Sequence, residues 1–280
     1  MSRQNYYARR KDRQRRQVDG ELVAELVKQE RQVQPRLGGR KLCFMLKEAL
    51  TEAGVELGRD RFFEVLREHN LLLEPKPASY PCTTDARHCL PIFSNQIKDL
   101  EVRGANEVWV GDLTYLRTEA GFMYLALLTD KSSRKVVGYH CGESLGTEGC
   151  LKALKQALEE MPRGARPIHH SDRGTQYCCH EYVKELKDNG LRVSMTESNH
   201  CAENALAERM NGILKSEYGL GEEFKTKEQA KRAVDQAVYL YNTRRPHTAL
   251  NYRTPQEAHE EAGVAPQRKM KVRSNKMTGE

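Results

Sequence analysis

At 280 residues, 38% hydrophobic and 30% charged, the chain is long enough for one sizeable core and a second, smaller module. No apolar run approaches the roughly 18 residues of a membrane span, and no apolar stretch follows the charged start MSRQNYYARRKDRQRRQ, so the sequence reads as neither a membrane protein nor a secreted one and points to the cytoplasm. The net charge of +7 is unevenly spread: +5 over residues 1–80, +4 over residues 266–280, and −2 between them. Basic flanks around a slightly acidic centre suit a protein that grips a polyanion at its ends and uses carboxylates in the middle. Solvated basic tails without a partner are the plainer alternative.

Residues 1–18 form a basic leader. Over 19–75 the chain reads as a small all-α unit: ELVAELVKQE, GRKLCFMLKEALTEAG and GRDRFFEVLREHNLL each carry apolar residues at helical spacing. The last two are joined by AGVELG, which makes a helix-turn-helix candidate whose third helix carries Arg59, Arg61 and Arg67. Pro75, Pro77, Pro81 and Pro91 punctuate a linker over 76–104.

Beyond the linker the period changes. NEVWVGDLTYLR, GFMYLALLTD and KVVGYH predict three consecutive antiparallel strands; a helix, a short strand (RPIHHSD), a helix, a strand (RVSMT) and a long helix from about Ala202 follow. That order predicts an α/β mixed sheet with helices on its faces over 105–222, then a helical extension over 223–265 and a basic tail over 266–280.

Eight cysteines include no C-x-x-C pair, and the adjacent Cys178 and Cys179 suit neither a disulfide framework nor a zinc site. Cys82, His88 and Cys89 are the nearest approach to a metal cluster, at spacing too loose for tetrahedral zinc. Reduced, mostly buried thiols are expected.

Three acids and one helix face carry the chemistry. Alternation in the first strand sends Val108, Val110, Asp112 and Thr114 to one side, so Asp112 lies in line with apolar residues and needs a cation or a donor. Asp172 falls at the carboxyl end of the fourth strand, the edge of an open sheet where sites are usually built. If that strand lies beside the first, the two carboxylates converge. Taken singly, each acid is more simply a turn cap, or a salt-bridge partner of Arg173 or Arg117. On AENALAERMNGILKSEYG, about 100° per residue gathers Asn204, Glu208, Asn211 and Lys215 into one stripe, opposite Ala202, Leu206, Met210, Ile213 and Glu217, all but the last of which the core would take. Converging carboxylates suit hard divalent cations, Mg²⁺ above all, and two such ions can serve an in-line phosphoryl displacement.

The words VWVGDLTYL, HHSDRGTQY and SMTESNHCAENALAERMNGILKSE, with 59 residues between the first two acids and 35 between Asp172 and Glu208, resemble the catalytic core of retroviral-integrase-like bacterial transposases, and within them the second-reading-frame protein of the IS-three family of insertion sequences. QPRLGGRKLCFML and YLYNTRRPHTALNYRTPQEA extend the resemblance over most of the chain. It implies a ribonuclease-H-like fold with Asp112, Asp172 and Glu208 as catalytic ligands of two Mg²⁺ ions, or Mn²⁺ in their place. It also implies Lys215 as the basic residue that contacts element DNA, with Asn204 and Asn211 beside it. Ala202, Glu203 and Gly111 depart from the family's usual residues next to the ligands.

The implied activity is cleavage at the terminal inverted repeats followed by joining of the freed 3′-hydroxyl to target DNA. Arg59, Arg61, Arg67, Arg244 and Arg245 would grip phosphates. A homo-oligomer on DNA, an upstream-frame protein or fusion, and a nucleoid location belong to the same expectation. Two rivals stand beside it: a DNA-binding regulator whose acids are structural, and a metal nuclease that cuts without joining. Asp130 reads as a turn-initiating aspartate, and His169 and His170 as satisfied strand histidines.

Overall fold

The computed structural model describes residues 3–74, 89–197 and 204–264. It opens with a 31-residue helix, α1 (Arg3–Val33), so what reads as a basic leader is the first half of a helix. Arg, Lys and Gln are good helix formers, and no proline intervenes before Pro35 ends the run.

Three further helices, α2 (Gly39–Met45), α3 (Lys47–Glu52) and α4 (Arg59–Glu68), close around Val23, Val27, Leu42, Leu50, Phe62 and Leu66. The segment expected as one helix is broken at Leu46. The α3 helix stops at Gly54 with φ +74°, and the amide of Val55 returns to Leu50 O at 2.8 Å, so the left-handed position aims the chain into α4.

The larger unit is a mixed sheet built from β1 (Val108–Thr118), β2 (Gly121–Asp130), β3 (Val136–Gly142), β4 (Ile168–Ser171) and β5 (Arg192–Met195), in the order β3-β2-β1-β4-β5. The first three strands are antiparallel, and β4 and β5 run parallel to β1, as the sequence predicts. A short β6 (Glu223–Phe224) pairs with the far end of β1.

Helices cover both faces. On one side α5 (Thr147–Glu159), α6 (Thr175–Cys178) and α7 (His180–Asp188) bury Trp109, Leu128, Leu154 and Tyr182. The approach of α5 to β3 depends on Gly138, where a Cβ would stand 2.1 Å from the carbonyl oxygen of Ala153. On the other side α8 (Ala205–Glu217) and α9 (Lys227–Thr243) pack over Leu116, Leu125 and Leu127. Residues 223–243 are therefore part of the core and not an appendage to it. A 3₁₀ turn at Thr248–Leu250 leads to α10 (Pro255–Val264).

Two further expectations need correcting. The second half of the linker is strapped to the core: Ile97 is buried with Val108 and Ile168, and Gln96 bonds Ser194 Oγ and Val193 O along β5. An extended segment that satisfies an edge strand's polar groups shows no periodicity, which is why the sequence reads it as a connector. The helical unit is also tied to the core: Glu217 receives Lys41 at 3.0 Å and Arg245 at 2.8 Å, and Glu30 receives Arg244 at 2.7 Å.

Candidate active site

Strand pairing decides where the acids lie. β1 and β4 pair in parallel as Val108↔Ile168, Trp109↔His169 and Val110↔His170. The same register carried two residues further sets Asp172, just past the end of β4, level with Asp112 on the neighbouring strand. Parallel neighbours are about 4.8 Å apart and send equivalent side chains to the same face. Glu208 stands on the first turn of α8, which packs against β1.

Asp112 records the crowding. Burial pushes its carboxyl up to about 7, the Asp172 charge adds to that, and Glu208 adds a smaller increment. The Leu113 amide and Asn211, whose Nδ2 donates to Asp112 Oδ2 at 2.6 Å, pull the other way and do not restore the usual range. Asp172 is half-buried and its Oδ1 accepts the Gly174 amide at 3.0 Å, so it also serves the turn that starts α6.

Whether this set fits a divalent cation turns on its donors. Every one is a hard oxygen. Asp112 stays raised even with Lys215 near enough to feel its charge, and among the described residues the buried Asn204 Oδ1 and Asn211 Oδ1 accept no hydrogen bond. Among the described residues, however, no three His, Cys, Asp or Glu side chains already form a cage around one point. The chemistry of the donors fits Mg²⁺; closing on it requires the carboxylates to draw together, against a mutual repulsion that the cation itself would remove.

The face of α8 differs from the expectation. Ala207, Met210, Asn211 and Leu214 are buried, whereas Leu206 and Ile213 are only partly so. The polar stripe is thus turned partly inward. Asn211 is pinned on Asp112, and Asn204 is buried with its Nδ2 3.4 Å from Gly111 O. Both amides reach the β1 strand that carries Asp112. Helical spacing could not separate an amide that meets solvent from one that meets a strand carboxylate. Lys215 lies with its Nζ 4.5 Å from the Tyr115 ring centre; burial lowers its pKa, opposed by the nearby Asp112 charge.

The expected arginines divide. Arg59 and Arg67 are exposed on α4; Arg59 pairs with Asp60, and Arg61 with Glu64 and Glu68. Arg245 is buried on Glu217 and Arg244 lies on Glu30, so both knit the protein together where the sequence suggests phosphate contacts. A buried guanidinium is committed to its carboxylate. Arg15 and Arg16, in the basic leader that the sequence reads as gripping a polyanion, line a cleft with Arg61 between α1 and the α3–α4 turn. The run RQRRQ was visible, but nothing showed that it was helical.

The remaining polar residues mostly follow the plainer readings. Asp130 is fully buried and caps its turn, accepting from Ser132 N, Ser133 N and Asn106 N. His169 and His170 are fully buried, with Tyr182 OH and Ser194 Oγ each meeting one ring nitrogen, while His169 Nδ1 has no hydrogen bond among the described residues, so the satisfied-histidine reading holds only in part. A Cβ at Gly111 would stand 3.0 Å from His169 Nε2, so any larger residue there would crowd the His169 ring. Cys82, His88, Ala202 and Glu203 lie outside the described residues; the described cysteines are free thiols, with Cys150 and Cys178 buried.

A five-stranded mixed sheet in this order, with acids on β1, after β4 and on α8, and a helix layer on each face, defines an integrase-type ribonuclease-H-like core. An Integrase core domain family matches residues 102–201, and a second Integrase core domain family matches residues 189–255. The Insertion element IS600 31 kDa protein of Shigella sonnei is 33% identical over 91% of this chain and 93% of that protein. Transposase InsF for insertion sequence IS3A of Escherichia coli (strain K12) is 36% identical over 61% of this chain and 60% of InsF. Among solved structures, the simian T-cell lymphotropic virus intasome in complex with PP2A regulatory subunit B56 gamma shares the fold, with a TM-score of 0.52 at 16% identity over 84% of this chain and 75% of that one. The chain belongs to the IS3-type family of insertion-sequence transposases, enzymes of the polynucleotidyl-transferase kind.

Proposed function

We propose that the chain cuts DNA at the ends of its insertion sequence and joins those ends to new DNA, with Asp112, Asp172 and Glu208 as the acids that hold two Mg²⁺ ions, or Mn²⁺ in their place. Water breaks the phosphodiester at the element end and frees a 3′-hydroxyl, which attacks a phosphodiester of the target; the strand there breaks as the new one forms. Bound magnesium would supply the charge that activates the attacking oxygen and stabilises the leaving one.

The observation that carries this reading is the parallel register of β1 and β4, which brings Asp172 level with Asp112. Asn211 orients the Asp112 carboxylate from α8, the helix that also carries Glu208. Lys215, close enough to Asp112 to feel its charge, is suited to a neighbouring phosphate. The arginines of α4 and the α1 cleft would hold flanking duplex. The terminal inverted repeats and target DNA are the expected partners, engaged by a homo-oligomer acting at the nucleoid in the cytoplasm, with an upstream-frame product or fusion as a further partner. Among the described residues no helix is long and apolar enough to cross a membrane.

A labelled, pre-cut element end incubated with the protein, Mg²⁺ and a target duplex tests the reading. Joined, lengthened products are expected. Shortened products alone would make the protein a nuclease; DNA binding with neither cleavage nor joining, unchanged in Asp112→Asn, would make it a DNA-binding regulator.

A further inference from the structure

An aromatic and cationic patch begins beside the acids and takes no part in either core cluster. Phe122, the second residue of β2, exposes 53% of its surface. Tyr115, three residues beyond Asp112 on β1, meets it edge to face, with ring centres 5.5 Å apart and planes at 90°. Lys215 Nζ sits 4.5 Å from the centre of the Tyr115 ring and feels the Asp112 charge. Three residues of strand span about 10 Å. Tyr115 leaves the face of β1 opposite to Asp112, and Lys215 bridges the two past the last β4 pair at Val110, so around that open edge the order is carboxylate, ammonium, buttressing ring, exposed ring.

A single exposed aromatic at a hairpin tip is ordinary. Its alignment with a cation and with the acids of a phosphodiester-cleaving site is what gives this one a ligand. Sites for unpaired nucleic acid join a cation that tracks the backbone to an aromatic face on which a base stacks, and such stacking tolerates any base because each has a π-face. Glu119 lies in the adjoining turn, and Glu223 is the register partner of Arg117 across β1 and β6. Arg117, exposed and the register partner of Phe122 across β1 and β2, stands between these acids and the ring, so cations flank the rings on both sides. Lys215 is the one nearer the acids of the site, which places it for the phosphate between them and the base on Phe122.

We propose that Phe122, buttressed by Tyr115, is a stacking platform for an unpaired base of the DNA strand whose phosphate lies at Asp112, with Lys215 on the intervening phosphate. This rests on the transposase reading above and adds to it a requirement: the strand end is frayed in the complex, and the platform takes the displaced base. The ring does not touch the reacting atoms, so its contribution is to hold the strand.

The test uses the full chain and a DNA duplex bearing a short single-stranded extension with one 2-aminopurine, alongside a blunt duplex in which the same base is paired. Stacking quenches 2-aminopurine. The wild type is expected to quench the extension and to bind the extended duplex roughly fivefold or more tighter than the blunt one. Phe122→Trp should keep both effects. Phe122→Ala, an exposed substitution that leaves the fold intact, should lose both while its affinity for the blunt duplex stays within about twofold. Undiminished quenching in Phe122→Ala overturns the platform while leaving the transposase reading in place. So does a change in oligomeric state of that variant with quenching unaltered, which would make the ring a protein interface. If the wild type binds neither duplex, the transposase reading fails and takes the platform with it.

Discussion

The side-chain amide of Asn211 donates to Asp112 Oδ2 across 2.6 Å, tying the helix that carries Glu208 to the strand that carries Asp112. One bond thus fixes the relation between two elements whose acids lie far apart in the chain. It also compensates only partly for a carboxyl that burial, Asp172 and Glu208 push up to about 7. A carboxyl whose pKa rises on folding favours the folded state only while protonated, so its ionised form destabilises the fold increasingly as pH climbs from about 4 to 7. Asp112→Asn removes that cost and keeps an acceptor for Asn211. The variant is expected to abolish strand transfer and yet, without divalent ions, to melt several degrees higher than wild type at pH 8, on the order of 2–4 kcal/mol. At pH 5 the difference should be less than half as large, and below about pH 4 it should vanish. A variant less stable than wild type at pH 8 would show that Asp112 is not strained.

Divalent-ion binding should carry the same signature. If Asp112 is protonated below about 7 in the free protein, Mg²⁺ or Mn²⁺ must displace that proton. Affinity is then expected to be about tenfold weaker at pH 6 than at pH 8, with proton release near pH 6.5 seen by calorimetry in buffers of different ionisation heat. Affinity independent of pH over this range would remove Asp112 from the ligand set.

How much of this was legible in the sequence depended on whether a feature had a local period. Strand alternation predicted β1, β2 and β3, including Gly121–Asp130 to the residue, because each strand packs against cores on both faces. Asp112 could be singled out as a carboxylate among valines for the same reason. The rotation of α8 could not be read, because Asn211 faces inward only by virtue of a strand acid 99 positions away. Arg245 looked like a phosphate ligand beside Arg244, since nothing local revealed that Glu217 waits for it. The strap around Gln96 has no period at all, its bonds being those of an extended chain along an edge strand.

The reassignment of Arg245 has a measurable consequence. Glu217 is the last residue of α8; burial alone would raise its pKa, but the two-pronged Arg245 pair and Lys41 outweigh that and hold it low. Its two partners differ in burial, Arg245 being 5% and Lys41 16% exposed. Glu217→Ala strands a buried guanidinium and is expected to cost about 3–5 kcal/mol in denaturant unfolding. Lys41→Met should cost about 1 kcal/mol or less, because that pair is nearer to water. Arg245→Ala should lower stability without changing the salt dependence of DNA binding. A fall in the salt slope would return Arg245 to the DNA interface.

On α4 the ion pairs predict a ranking. Arg61 is held by both Glu64 and Glu68 and Arg59 by Asp60, so a phosphate must compete with carboxylates for these two. Arg67 is exposed at the end of the same helix. Replacing one phosphate-contacting cation lowers the slope of log affinity against log salt by about 1. Arg67→Ala is expected to give close to that full reduction, and Arg61→Ala distinctly less. Equal slopes for wild type and Arg67→Ala would place the DNA on another surface of the helical unit.

Acid sensitivity should come from histidines that the fold keeps neutral. Burial, with His170 adding to it, lowers His169 to about 3; burial and then Arg245 lower His247 to about 3. Burial lowers His259 as well, and its partners agree with a neutral ring: Ser133 Oγ donates to Asp130 and so accepts from Nδ1, while Asn106 Nδ2 donates to Nε2. His169 and His247 bind a proton near pH 6.5 only when unfolded, and His259 binds one less readily folded than unfolded. Their stabilising contribution is therefore complete above pH 6.5 and is lost as pH falls below it, by up to about 1.4 kcal/mol per pH unit for each. Asp112 opposes them by about one proton in the same range. Unfolding free energies from pH 7 to 5 should thus fall with a limiting slope of at least about one proton, from His169 and His247 less Asp112, steepened further by His259. His259→Gln should unfold more easily at every pH, with a shallower slope. A slope identical to wild type would mean that His259 is already charged in the folded protein, and that the Asn106 amide faces it the other way round.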